Sequence, residues 1–181
     1  ARLGANESLF GPSPKAIRAM AQAAETVWKY CDPETHGLTH ALAEYHGVSP
    51  DCVLVGEGID GILGNTVRLF VSGPEDVVVT SDGAYPTFNY HVAGFGGTLV
   101  KLPYREDHED LTALSRTARE HSAKLVYLCN PDNPMGTWHS ADRINALIEA
   151  LRRDGLLGDG AELRSVWHRR FEHGYPTPSI G

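Results

Sequence analysis

Asn130-Pro131-Asp132-Asn133-Pro134-Met135-Gly136-Thr137 follows the apolar run Leu125-Val126-Tyr127-Leu128-Cys129 and precedes a helical pattern. Proline lacks the amide that a sheet ladder needs and glycine weakens a strand interior, so the run has to leave its sheet here. In an open α/β sheet the crevice at the carboxyl ends of the strands is where ligands bind. A rigid turn at that place would present Asn133, whose amide both donates and accepts and so suits an anionic or phenolic oxygen of a small cofactor. The same residues also describe an ordinary strand-to-helix loop, since Asn-Pro commonly starts a turn.

Downstream, the spacing predicts a helix over 140–153, with Ser140 as its cap and Ile144, Leu147, Ile148 and Leu151 on its inner face. Upstream lie a helix over 111–121, an acidic loop over 105–110, a strand over 98–102 and a helix over 89–95. Before these, a strand over 77–80 ends in Ser81-Asp82-Gly83-Ala84-Tyr85-Pro86-Thr87-Phe88. Tyr85, just beyond the strand end, offers a ring that can stack on a flat heteroaromatic ligand, although a tyrosine there can equally cover a core edge. Further upstream, Val53-Leu54-Val55 reads as a short strand, followed by Gly56-Glu57-Gly58-Ile59-Asp60-Gly61 and a helix over 62–70. Strand, glycine turn and helix N-terminus together form a phosphate-binding arrangement, because free N–H groups and the positive dipole end favour an anion. A tight turn needing glycine for its backbone angles alone is the other reading. Strand and helix alternate throughout, giving an α/β class with a largely parallel sheet.

The front of the chain reads differently. Residues 1–14 form an irregular arm, broken by Gly4, Gly11, Pro12 and Pro14. A helix follows with Ser13 as N-cap and Ile17, Met20 and Val27 on its apolar stripe, ending near Trp28-Lys29-Tyr30. A second helix over 38–45 stops at Gly47. Beyond Leu157 the texture changes to Arg164, His168, Arg169, Arg170 and His173 with scattered apolar positions, so 158–181 reads as an atypical tail.

Composition sets outer limits. A chain of 181 residues with 41% hydrophobic and 22% charged content is ordinary for a globular protein with its own core. Its formal charge of -7 argues against a nucleic-acid surface and leaves small anionic ligands, which are bound locally, open. No apolar run is long enough to cross a bilayer as a helix. Cys31, Cys52 and Cys129 show no metal-like pairing, and reduced thiols point to a cytoplasmic setting. The start at Ala1 without Met suggests that residues upstream are missing.

Gly56, Gly58 and Gly61 satisfy the G-x-G-x-x-G pattern of dinucleotide-binding folds, and Asp82 closes the next strand near where a ribose-binding carboxylate is expected. That spacing supports an NAD(P)-binding domain of an oxidoreductase, but it gives no role to Tyr85, Asn133 or the Asn-Pro turn. A remnant without catalysis, which binds partners or nothing, is the remaining alternative.

A second reading uses all of these pieces. Asn6-Glu7 with Phe10-Gly11-Pro12-Ser13-Pro14, Tyr30 before Asp32-Pro33-Glu34, Leu42-Ala43-Glu44-Tyr45 before Gly47-Val48, Gly56 to Asp60, Ala84-Tyr85-Pro86 and Asn130 to Thr137 resemble the fold-type I pyridoxal-phosphate aminotransferases. Within that family the resemblance is to the histidinol-phosphate aminotransferase-like branch, in order and spacing over residues 3–157. It implies part of the three-layer α/β/α large domain of a pyridoxal-phosphate-dependent transferase, over 15–157, with a mostly parallel but incomplete sheet. It also implies amino transfer between an amino acid and a 2-oxo acid, with pyridoxal 5'-phosphate as cofactor, in a homodimer. Decarboxylases of phosphorylated amino acids share the same front half.

Residue by residue, the resemblance implies that Gly58 and the backbone amides of Ile59 and Asp60 hold the cofactor phosphate. Tyr85 would stack on the pyridine ring and Asn133 would bond its phenolic oxygen. Tyr30 would reach across the dimer interface toward the phosphate of the neighbouring subunit. Ile59 stands where the family usually has a small residue such as Ser or Ala, so the contact there would be through backbone. The family's next strand ends in Asp-Glu-Ala-Tyr, whose Asp pairs with the pyridine nitrogen; Asp159 is the counterpart this chain offers. The family's Schiff-base lysine and its substrate-gripping arginine have no counterpart, since Lys15, Lys29, Lys101 and Lys124 all lie in other contexts. The expectation is therefore a truncated or frame-changed front part, inactive alone, with apolar sheet edges left exposed.

Overall fold

A computed structural model describes residues 10–158, in two compact units that meet at Val55–Gly56 in the chain. In the first unit, helix α1 (Pro14–Ala23) begins with proline in its first turn, and Ser13 Oγ accepts from the Ala16 amide at 3.2 Å. A proline at this position gives up an amide that would be unpaired anyway, and its fixed φ suits the helix. Helix α2 (His36–His46) ends at Gly47, whose φ of +67° lets its amide reach the Ala43 and Glu44 carbonyls. A 3-10 turn follows at Pro50–Cys52. The apolar stripe of α1 stays uncovered, with Ile17, Met20 and then Val27 all more than half exposed.

The second unit holds a parallel three-stranded sheet: β1 (Val77–Ser81), β2 (Thr98–Leu102) and β3 (Leu125–Val126), in the order β2-β1-β3. Val79 lies opposite Val100 on one side and Val126 on the other. Side chains alternate across a strand, so neighbouring valines of β1 face opposite layers. Val78 joins Val67, Val71, Phe88 and Val92, from helices α3 (Gly58–Phe70) and α4 (Pro86–Gly94) and the residue that ends α3. Val79 joins Leu111, Leu114, Ala118 and Leu147 from helices α5 (Leu111–Glu120) and α6 (Ala141–Arg153). The result is three layers, α/β/α, with β1 at the centre. Both valines are fully buried, and each contributes roughly 1.5–3 kcal/mol of transfer free energy. Asp110 Oδ1 caps α5 through the Thr112 and Ala113 amides, and Ser140 caps α6 as its sequence position predicts.

Five expectations change. Helix α1 ends at Ala23, with a 3-10 turn at Ala24–Thr26, rather than near Trp28-Lys29-Tyr30. Helix α4 begins at Pro86, where proline suits the first turn, rather than at 89. Residues 53–55 form no strand, because a strand exists by pairing and none of the three described strands takes Val53–Val55 as neighbour. Helix α3 starts at Gly58 rather than at 62, so Ile59 and Asp60 lie in its first turn instead of in a loop before it. The run from Leu125 to Cys129 keeps strand geometry only over Leu125–Val126. Its backbone stays beside β1 as far as the Tyr127 amide, which donates to the Val79 carbonyl at 2.9 Å. Asp159 lies outside the described residues.

Candidate functional site

Strand β1 leaves the sheet toward α4 on one face, while β3 leaves toward α6 on the other. Adjacent parallel strands whose exits part to opposite faces open a crevice between their carboxyl ends. The loop bearing Tyr85 leaves β1 there, and the Asn-Pro turn leaves β3 there. The two loops are thus brought together by topology rather than by any contact between their tips.

The glycine turn belongs to the same unit. Gly58 has φ +69°, a left-handed value that a residue without Cβ adopts at no steric cost, and its amide donates to the Gly56 carbonyl at 2.7 Å. Glu57 occupies the cap position of α3 without a side-chain bond to the helix amides. The first amides of α3 therefore face outward unpaired by a cap, next to the positive end of a helix of 13 residues. A Cβ at Gly61 would stand 2.6 Å from Glu57 Oε2, the end of an exposed side chain that can swing aside.

Tyr85 connects this turn to the β1 exit. Its hydroxyl donates to Asp60 Oδ1 at 2.9 Å, which fixes the ring over the start of α3. Three residues on, Phe88 lies in the core and stacks on Tyr127 with ring centroids 4.2 Å apart. Burial, with the nearby Cys129 sulfur second, pushes the Tyr127 phenol well above its usual range and keeps it neutral.

The Asn-Pro turn is held on its inner side. Asn130 Oδ1 accepts from the His139 amide at 2.8 Å, and its Nδ2 donates to the His139 carbonyl at 3.2 Å, closing the loop at its base. Asp132 exchanges backbone bonds with Thr137 and Gly136 at 2.8 and 2.9 Å. Both Asn-Pro bonds of the turn, Asn130–Pro131 and Asn133–Pro134, are cis. Asn133 is half-buried, and no hydrogen bond to its side chain occurs among the described residues.

Beneath these loops lies a buried polar cluster that the sequence reading missed. Glu109 is 2% exposed; its Oε2 accepts from Ser81 Oγ at 2.5 Å and its Oε1 from the Cys129 amide at 2.9 Å. Burial raises the Glu109 carboxyl, against the lowering effect of those two bonds, and nearby Asp132 raises it further. His139, also buried, donates from Nε2 to the Glu109 carbonyl at 2.9 Å, and burial holds its ring below the usual histidine range. Asp132 is buried with neither carboxylate oxygen bonded, beside a Tyr104 hydroxyl that likewise lacks full hydrogen-bond geometry. Burial first, and Asp132 next, raise the Tyr104 phenol far above its usual value.

The structure thus gathers Gly58, Ile59, Asp60, Tyr85 and Asn133 in one unit. Tyr30 belongs to the first unit, where it is fully exposed. No group of three metal-ligating side chains occurs among the described residues. No helix there is long and apolar enough to cross a membrane.

The family model for class I and II aminotransferases matches residues 1–157. A histidinol-phosphate aminotransferase from Anaeromyxobacter is 37% identical over 158 residues, covering 87% of this chain and 43% of the relative. One from Cereibacter sphaeroides is 36% identical over 161 residues, 88% of this chain and 44% of the relative. Among solved structures, the Sinorhizobium meliloti histidinol-phosphate aminotransferase in complex with pyridoxal-5'-phosphate is 56% identical, with a TM-score of 0.77. It covers 81% of this chain and 40% of that one. The chain therefore spans less than half the length of the relatives it matches.

Proposed function

We propose, because this chain belongs to the class I and II aminotransferase family, that its second unit carries the phosphate and ring subsites of a pyridoxal-phosphate-dependent aminotransferase. The Asp60–Tyr85 hydrogen bond carries this reading, since it joins the phosphate turn to the ring that would stack on the cofactor. The residues present fit such a group. An uncapped helix N-terminus suits a phosphate dianion, the Tyr85 ring suits a flat heterocycle, and the Asn133 amide suits a phenolic oxygen. Bound there, pyridoxal phosphate supplies an electron sink for the α-carbon of an amino acid.

In that mechanism each side chain orients or screens. The Ile59 and Asp60 amides anchor one end of the cofactor through backbone, which the bulk of Ile59 does not obstruct. Asp60 also holds the Tyr85 hydroxyl, so the ring cannot turn away. Asn133 would hold an oxygen of the heterocycle with an N–H donor, while Phe88 and Tyr127 pack the core of the same unit. Tyr30 would complete the phosphate subsite of a second copy in a homodimer. The substrates are an amino acid and a 2-oxo acid, in the cytoplasm. The proton-moving lysine of the family has no counterpart in this chain, which on this reading binds cofactor without turning over alone.

The test is a titration of the chain with pyridoxal phosphate and, separately, with NAD. Asn133→Ala is expected to weaken pyridoxal phosphate binding about tenfold, the value of one hydrogen bond to a charged group, with NAD binding absent throughout. Saturable NAD binding that survives this substitution would support the dinucleotide reading instead.

A further inference from the structure

We propose that Glu109 is a positioning residue, a single carboxylate that fixes the Tyr85 loop and the Asn133 loop relative to each other; this rests on the cofactor site proposed above. Its two oxygens tie two different strand exits. Ser81, the last residue of β1, leads into the loop of Tyr85, and its hydroxyl donates to Oε2. Cys129, the last residue before the Asn-Pro turn, donates its amide to Oε1. A third tie comes from the Glu109 backbone carbonyl, which accepts from His139 Nε2 at the far base of that turn.

The placement explains why β3 is short. The Tyr127 amide still pairs with the Val79 carbonyl, but two residues later the Cys129 amide takes a side-chain oxygen in place of a β1 partner. The strands are thus held apart at their carboxyl ends by an inserted carboxylate, which leaves room for the crevice. A backbone ladder continued to Cys129 would close it. Glu109 itself touches no proposed cofactor atom, so its effect passes through Ser81 and Cys129.

The experiment compares Glu109→Ala and Glu109→Gln by residue-resolved amide exchange, followed by pyridoxal phosphate titration. Five amides report on the two loops: Asp82 and Ala84 on one side, Cys129, Asp132 and Gly136 on the other. In the Ala variant, exchange at both sets is expected to rise at least about tenfold together, the loss of two hydrogen bonds to a buried carboxyl group, while α6 amides stay unchanged. The Gln variant keeps an oxygen for the Cys129 amide and a polar partner for Ser81, and should stay within about threefold of wild type. Pyridoxal phosphate affinity should follow the same order, weakened at least about tenfold by Ala and rescued by Gln. If the Ala variant does not fold, Ser81→Ala cuts one tie and should still loosen both loops. Faster exchange at one loop alone, or equally throughout the unit, would overturn the proposal. Absence of pyridoxal phosphate binding in wild type would overturn the cofactor reading instead, and the exchange data would still decide whether the clamp exists.

Discussion

Glu109 and His139 sit in contact yet respond to pH in opposite senses. Burial raises the Glu109 carboxyl, so the folded state holds its proton more tightly than the unfolded chain does. The stability this provides is full below the ordinary carboxyl value near 4.5 and is lost as pH rises through the raised folded value. Burial lowers the His139 ring, so its contribution is present above its ordinary 6.5 and lost as pH falls through the lowered folded value. Glu109→Gln removes the first dependence and leaves the second. Urea midpoints measured at pH 5 and pH 8 should therefore show wild type losing stability relative to the Gln variant as pH rises; the opposite trend would mean that Glu109 is ionised comfortably in the fold. Tyr85 and Asn133 stand out in the sequence because each lies in a turn whose glycine or proline content marks a strand exit, whereas Asp60 stands out by the glycines around it and follows a stretch that forms no strand. Glu109 was hidden in an acidic run, Glu106-Asp107-His108-Glu109-Asp110, that reads as solvated charge. One signal was available: Glu109 immediately precedes the Asp110 cap, a position where an apolar residue often packs onto the helix, so its side chain points inward.

At the level of elements, caps and pairing partners decide what the apolar pattern leaves open. Ser140 and Ser13 stand where local sequence places a helix cap, and both cap their helices. Asp110 does so with two amides, at 3.1 and 3.0 Å, on a helix that contributes Leu111, Leu114 and Ala118 to the core. Asp110→Ala is expected to destabilise the unit by about 1–2 kcal/mol, read as a lower urea midpoint with unchanged slope, whereas Asp110→Asn should recover most of the loss. The expected strand over 53–55 shows the limit of such reasoning. Val53-Leu54-Val55 has suitable residues, but pairing depends on a neighbour that local sequence does not reveal, and Leu54 ends 70% exposed. The start of α3 moved for a related reason. Glycine raises the cost of helix by about 1 kcal/mol, so Gly58 and Gly61 argue for a loop, yet Leu63 and Val67 pack into the core and draw the preceding turn into the helix.

For the whole molecule, alternation of strand and helix was enough to predict an α/β class with a largely parallel sheet, the three layers were implied by the family resemblance, and β1 at the centre follows from the order β2-β1-β3. That order creates the crevice, because the exits of β1 and β3 part to opposite faces. Family membership then gives the crevice its proposed occupant, while the match to less than half of each relative leaves the reaction itself a proposal. On the proposed reading Gly58, Ile59, Asp60, Tyr85 and Asn133 form one pyridoxal phosphate site within the second unit. Amide and side-chain chemical shifts followed during titration with pyridoxal phosphate test it most directly. The account predicts saturable shifts with one dissociation constant at Ile59, Asp60 and Tyr85 and at the Asn133 side-chain amide, with the α5 and α6 amides unmoved. Shifts confined to any other face of the unit, or saturation at Ile59 without Asn133, would contradict it.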